Sequence, residues 1–258
     1  MSNEKGKCNW NKREIMAVAF SRQIKDGMVC IAGTGLPLVA AALAKFTTAP
    51  NSIIISETGI IDGKMEEVPA GVSDMRFGYG ASVWFSRYQY CGFLMNLSHK
   101  IDLGFLGGAQ IDPYGNLNST SIGDYYHPKA RFTGSGGANG IASYLNTIII
   151  MQHEKRRFIE KVDYITSPGW MDANGGRKKY GLPEDKGPIA VVTTLGIMRF
   201  DHNKRMYLSE YYPGVSVSEI IEQTGFPIDV SKAIESEPPS PLALELLRNK
   251  IDPNRMYI

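Results

Sequence analysis

MVCIAGTGLPLVAAALAKFTTAPNSIIISE, residues 28–57, holds the defining pattern of the chain. Its first five residues, 28–32, are apolar and rich in β-formers, and they are too few for a helix, so they read as a buried strand. Gly33-Thr34-Gly35 end that run, and Leu36–Phe46 reads as a helix with Pro37 allowed in its first turn. Residues 52–56, Ser-Ile-Ile-Ile-Ser, have the continuous apolar character of a strand covered on both faces. On the N-terminal side, residues 11–26 keep Ile15, Val18, Ala19 and Ile24 on one helical face and Lys12, Arg13, Arg22 and Lys25 on the other. Gly27 follows where a helix C-terminal glycine belongs.

The same alternation returns further along. Residues 103–106, 147–151, 162–166 and 189–193 read as short buried strands. Residues 216–223 and, beyond the Pro238-Pro239 break, residues 241–250 read as helices. Alternating elements of this kind predict an α/β fold with three layers, a mostly parallel sheet flanked by helices. The expected organisation is a single domain over residues 1–258. Two Gly- and Pro-rich stretches, residues 107–140 and 167–187, are long for inert connections, and such loops are commonly functional.

Composition narrows the class of function. The chain is 43% hydrophobic and 21% charged with a formal net charge of +2, which is too small for a nucleic-acid surface. The densest basic run, Lys155-Arg156-Arg157, stands beside Glu154 and Glu160, as a solvated helix end or a small anion site would. Cys8, Cys30 and Cys91 form no CxxC pair, so neither zinc nor a disulfide framework is expected and the thiols read as reduced. His99, His127, His153 and His202 lack metal-ligand spacing. The polar N-terminus and the absence of a long apolar run predict a cytoplasmic protein without a membrane span.

Three segments carry candidate chemistry. Glu57 follows the strand at residues 52–56 directly, and ligands of open α/β sheets bind beyond the carboxyl ends of strands. Gly59, two residues on, permits a tight turn that would swing the carboxylate into a cleft. A helix cap or an arginine partner would explain Glu57 equally well from pattern alone. Thr133-Gly134-Ser135-Gly136-Gly137-Ala138-Asn139-Gly140 suits an oxyanion hole or a phosphate cradle, or else a simple surface turn. The segment from Gly107 to Thr120 begins at a strand end; its Gln110 and Asn118 could bind substrate, but satisfying the loop's own backbone is the commoner role. A P-loop, a dinucleotide fingerprint and a GxSxG elbow are absent. A glycosidase pair of Glu57 and Asp62 is left open by the residues, although no surplus of aromatic platforms lies near them.

Several of these segments resemble class I CoA-transferases, and within them the β subunit of glutaconate CoA-transferase. The resemblance is carried by GTGLPL at residues 33–38, by the E-x-G motif Glu57-Thr58-Gly59, and by GGAQIDPYGNLNSTSIGDYYHPKARFTGSGGANGIA at residues 107–142. NTIIIMQHEKRRF, DYITSPGW and the closing IDPNRMYI extend it over nearly the whole chain. Thr58 stands where many relatives carry Ser or Asn, and residues 60–90 look less alike. The resemblance implies ping-pong transfer of CoA between an acyl-CoA and a carboxylic acid, with Glu57 as nucleophile and a glutamyl-CoA thioester as intermediate. It implies Gly136, Gly137 and Ala138 as oxyanion or CoA-binding groups, with Gly108 and Gln110 as further binding candidates. CoA is then a co-substrate, and no metal or redox cofactor is needed. An α subunit of similar fold is the implied partner, in a hetero-oligomer of more than one α–β pair. Acyl-CoA hydrolysis, decarboxylation or ring opening on the same fold, and a non-catalytic partner subunit, are the rival expectations.

Overall fold

The computed structural model describes residues 9–66, 68–71, 74–86, 98–172 and 176–258. Helix α1, Lys12–Ser21, starts at a capping box: the Asn11 side chain accepts from the amides of Arg13 and Glu14, and Glu14 accepts from the Asn11 amide. It stops at Ser21 instead of running on to Asp26, because residues 22–24 close turns onto Phe20 and Ser21. Gly27, at φ +78°, then turns the chain into strand β1, Val29–Ala32.

Helix α2, Leu36–Phe46, leads to β2, Ile53–Ser56. The two strands pair in parallel, Val29 with Ile53 through Ala32 with Ser56, so the opening stretch is a βαβ unit. Beyond β2 the chain folds straight back as β3, Ile60–Ile61, and β4, Val83–Trp84, both antiparallel. Strand β5, Leu103–Leu106, then pairs with the other side of β1. Two small hairpins follow, β6 (Gln110–Ile111) with β7 (Leu117–Asn118) and β8 (Ser121–Ile122) with β9 (Ala130–Arg131). Helix α3, Ala138–Tyr144, returns to β10, Thr147–Met151.

Strand β11, Pro188–Thr193, is the last parallel neighbour of that central group. It is extended by the antiparallel β12, Gly196–Phe200, and β13, Met206–Tyr211, and finally by β14, Ile234–Glu235. The full order is β14-β13-β12-β11-β10-β5-β1-β2-β3-β4. The parallel centre is as expected. The antiparallel wings are a finding that short-run reading missed, since their inner faces are only half apolar.

Alternate residues of the central strands feed two cores. Cys30, Ala32, Ile148 and Ile150 pack with α1, α2 and the C-terminal segment, while Ile31, Ile149 and Met151 pack with Ile141, Leu117 and Ile220. Three layers result. On the second face α3 comes so close that a Cβ on Gly104 would lie 2.2 Å from Ile141 Cγ2. The helix expected at residues 216–223 appears as α4, Val217–Glu222. That expected at 241–250 appears as α5, Pro241–Leu246, continued by a π turn, Leu247–Ile251.

One expected strand is absent. Residues 162–166 lie across the β6–β7 hairpin and do not enter the sheet: Leu117 O accepts from the amides of Thr166 and Ser167. Tyr164 and Ile165 stay exposed, whereas a central strand would bury both faces.

Candidate active site

Strand β2 lies on one side of β1 and strand β5 on the other, so the chain reverses its direction of growth beside β1. The crevice beyond the carboxyl ends of such strands is where doubly wound folds bind ligands. A cavity of about 540 Å³ opens there. Gly33 and Thr34 line it from the end of β1, Leu106 and Gly107 from β5, Gln152 from β10 and Thr194 from β11. Helix α1 contributes Arg13 and Met16, and α2 contributes Leu36 and Pro37. Glu57 and Ala138 stand in the same wall.

Glu57 occupies the tip of the β2–β3 hairpin. The Gly59 amide donates to Ser56 O at 3.0 Å, and the Phe85 amide donates to Gly59 O at 2.8 Å. Gly59 sits at φ +87°, and a Cβ there would meet the Phe85 carbonyl oxygen at 2.6 Å, so the turn admits only glycine. Ser56 and Thr58 share a hydroxyl–hydroxyl hydrogen bond beneath the tip, and the Thr58 amide donates to Ser56 Oγ at 3.1 Å. The carboxylate is thus held on a rigid turn and is half-buried. Burial raises its pKa above the ordinary glutamate value, because a low-polarity setting disfavours the charged form. Asp62, the other member of the carboxylate pair considered above, is ion-paired with Lys45 at 2.6 Å and does not line the cavity.

The glycine loop comes to the same place. A Cβ on Gly137 would lie 3.6 Å from Glu57 Cδ. Among the described residues the amides of Gly136 and Gly137 have no hydrogen-bond partner, so both are available to an oxyanion. Ala138 lines the cavity, but its amide already donates to Ser135 O at 2.9 Å, which removes it as an oxyanion donor. The loop is anchored from both sides, with the Gly134 amide on Ser119 O and Asn139 Nδ2 on Thr166 O at 2.9 Å.

Arg177 fixes the far end of α3. Its guanidinium donates to the carbonyls of Ala142 and Ser143 in that helix and to those of Gly169 and Pro183 in the loops beside it. Burial lowers its pKa to about 10, so it stays charged at neutral pH. A cation on the last carbonyls of a helix is favourable, and here it ties the glycine loop's helix to the long loop at residues 167–187.

Two candidates lie elsewhere. The Gln110 amide oxygen accepts from Asn118 Nδ2 at 2.6 Å and from the Asp163 amide, while its Nε2 donates to Asp163 at 2.9 Å. It is buried in the β6–β7 hairpin, away from Glu57, so it serves the loop. A Cβ on Gly108 would press on Leu117 Cδ2 at 3.0 Å, which makes Gly108 a packing glycine; its neighbour Gly107 reaches the cavity. Arg13, Thr34, Gln152, Thr194 and Tyr257 were missed. For Thr34, Gln152 and Thr194 a signal existed, since each follows a strand that the pattern had located. Arg13 and Tyr257 are brought in by tertiary packing alone.

Known proteins agree with this arrangement. Residues 13–223 match the Coenzyme A transferase family. The β subunit of glutaconate CoA-transferase from Acidaminococcus fermentans is 54% identical over 97% of this chain and 96% of that protein. The β subunit of 3-oxoadipate CoA-transferase from Pseudomonas knackmussii is 37% identical over 93% and 92% of the two chains. The crystal structure of glutaconate coenzyme A-transferase from Acidaminococcus fermentans superposes with a TM-score of 0.93 at 52% identity, covering 98% of this chain and 99% of that one. The decarboxylase AibA/AibB shares the fold alone, with a TM-score of 0.80 at 21% identity over 95% of this chain and 96% of that one. The chain therefore belongs to the coenzyme A transferase family and is an enzyme subunit of the glutaconate CoA-transferase type.

Proposed function

We infer that this chain moves CoA from an acyl-CoA such as acetyl-CoA to a carboxylic acid, with Glu57 as the nucleophile. The observation that carries this reading is the half-buried Glu57 carboxylate on its glycine turn, beside two unpaired backbone amides in one cavity. A desolvated and positioned carboxylate attacks a thioester far better than one in water. A Glu57 oxygen adds to the acyl carbonyl, the C–S bond breaks, and CoA leaves as thiolate from a mixed anhydride. The thiolate then adds to the Glu57 carbonyl and expels the donor acid as carboxylate, which leaves a glutamyl-CoA thioester. The acceptor carboxylate runs the two steps in reverse and frees Glu57. Each addition passes through a tetrahedral oxyanion that the amides of Gly136 and Gly137 are placed to meet. One such donor is worth about 3 kcal/mol. CoA is a co-substrate in this scheme, and no step calls on a metal or redox cofactor.

The reading includes a partner and a substrate class. Both CoA-transferase relatives cited above are β subunits by name, which supports an α-subunit partner, more than one α–β pair and a cytoplasmic setting. A dicarboxylic acid such as glutaconate is the acceptor that this kinship favours. The test is to incubate the co-expressed complex with acyl-CoA alone, reduce with borohydride and map the altered peptide. Modification at Glu57 supports the scheme, and an active complex with Glu57 unmodified sinks it. Release of free CoA without an acceptor acid would identify a hydrolase instead.

A further inference from the structure

Arg13 is the cavity-lining cation that the scheme above leaves unused. It is exposed at the start of α1, and among the described residues no carboxylate pairs with it. Its neighbour Glu14 faces inward, held by Arg248 at 2.6 Å, with Arg255 at 3.9 Å. The Asp252 carboxylate is spent on the amides of Met256, Tyr257 and Ile258. Three guanidinium groups therefore face two carboxylates at this rim, and the excess positive charge falls on Arg13.

The guanidinium is also held in place. Its Nη1 donates to Tyr257 O at 3.3 Å, and Tyr257 is fixed through its hydroxyl to Pro69 O at 2.8 Å. Helix α1 packs across β5, with Phe20 edge-on to Phe105 at 4.7 Å. Strand β5 is two places from β2, which carries Glu57 at its end, a lateral offset of about 10 Å at one strand spacing of about 4.8 Å. Between them the wall is apolar, formed by Met16, Leu36, Pro37 and Phe105. A ligand that spans this wall has its reacting carbonyl at Glu57, an uncharged middle, and an anionic group at Arg13.

We propose that Arg13 is the anion anchor of this site, binding the oxyanion group of a substrate at the end remote from the reacting carbonyl. Two sources supply such a group, a phosphate of CoA and the second carboxylate of a dicarboxylic acid. A guanidinium fork suits both. The proposal rests on the CoA-transferase reading and sharpens its substrate side.

The experiment is steady-state kinetics of the α–β complex carrying Arg13→Gln, with Arg13→Lys as the conservative variant. KM is measured separately for acyl-CoA, for an acyl-pantetheine ester that lacks phosphates, and for a mono- and a dicarboxylic acid. The expected result is a rise in one KM of about tenfold, the scale of one solvent-exposed charge-assisted contact, with kcat little changed. A rise for acyl-CoA that spares acyl-pantetheine assigns the phosphate. A rise for the dicarboxylic acid that spares the monocarboxylic one assigns the carboxylate. Arg13→Lys should recover part of the loss, and the affected wild-type KM should climb with salt while that of Arg13→Gln stays flat. Unchanged KM values, or a fall confined to kcat, would overturn the anchor. Failure of the wild-type complex to exchange CoA at all would instead refute the transferase reading.

Discussion

Gly137→Ala separates folding from chemistry. Gly137 has φ −78° and ψ −12°, ordinary right-handed backbone that alanine adopts without strain. The added Cβ would stand 3.6 Å from Glu57 Cδ, 3.7 Å from Oε1 and 3.9 Å from Oε2, all normal van der Waals contacts. The folded chain accepts the methyl, and the change in stability should stay within about 1 kcal/mol, a shift of roughly 2–4 °C in Tm for a chain of this size. The reaction does not accept it. An attacked carbonyl must approach a Glu57 oxygen to about 3–3.5 Å, and a methyl already touching both oxygens fills that side of the carboxylate. A displacement of about 1 Å costs about 10²-fold, or about 2.7 kcal/mol of barrier. The assay is kcat/KM for CoA exchange in the co-expressed complex, alongside a thermal scan. Wild-type kcat/KM in a folded variant would refute the placement of the acyl group between Gly137 and Glu57.

Glu57→Gln should abolish exchange in the same assay while the variant, freed of a desolvated charge, melts no lower than wild type at neutral pH. The sign follows from the raised pKa: the folded state holds the Glu57 proton more tightly than the unfolded chain does, so ionisation weakens the fold as pH climbs through the folded value. For the same reason the acid limb of kcat/KM should fall at a pH above the ordinary glutamate range; a limb at the ordinary value would count against a desolvated nucleophile. Gly59→Ala combines a left-handed backbone at φ +87° with a 2.6 Å clash on the Phe85 carbonyl, so urea denaturation should show a loss of about 2 kcal/mol or more and activity should fall with it. Arg177→Leu leaves buried carbonyls at both ends of α3's anchorage without a donor, and unfolding should become easier by about 3 kcal/mol or more; a neutral result would show that the clamp is not needed.

The central parallel strands could be read directly because they are short apolar runs bounded by glycines, and burial on both faces leaves that mark on composition. Residues 28–32, 52–56, 103–106 and 147–151 are of this kind, and Glu57 could be found as the residue that follows one of them. The wings β12 and β13 carry Arg199, Ser209 and Glu210 and leave no such mark, while residues 162–166 carry the mark without the role. Local pattern cannot distinguish a strand from a segment whose amides are satisfied by a hairpin far away in sequence. The same limit applied within the site. Gln110 and Gly108 had the right residue types in the right loop, but only the packed hairpin shows that Asn118, Asp163 and Leu117 already occupy them. Residue order was enough to establish the α/β class, the strand end that bears Glu57 and the glycine-rich loop. Packing in three dimensions was needed to show that this loop lies against that carboxylate, that Ala138 has no amide to offer, and that Arg13 and Tyr257 close the cavity. Those are contacts between residues tens to hundreds of positions apart, and what brings them together is the burial of two cores against one sheet, a property of the whole chain that no single segment carries.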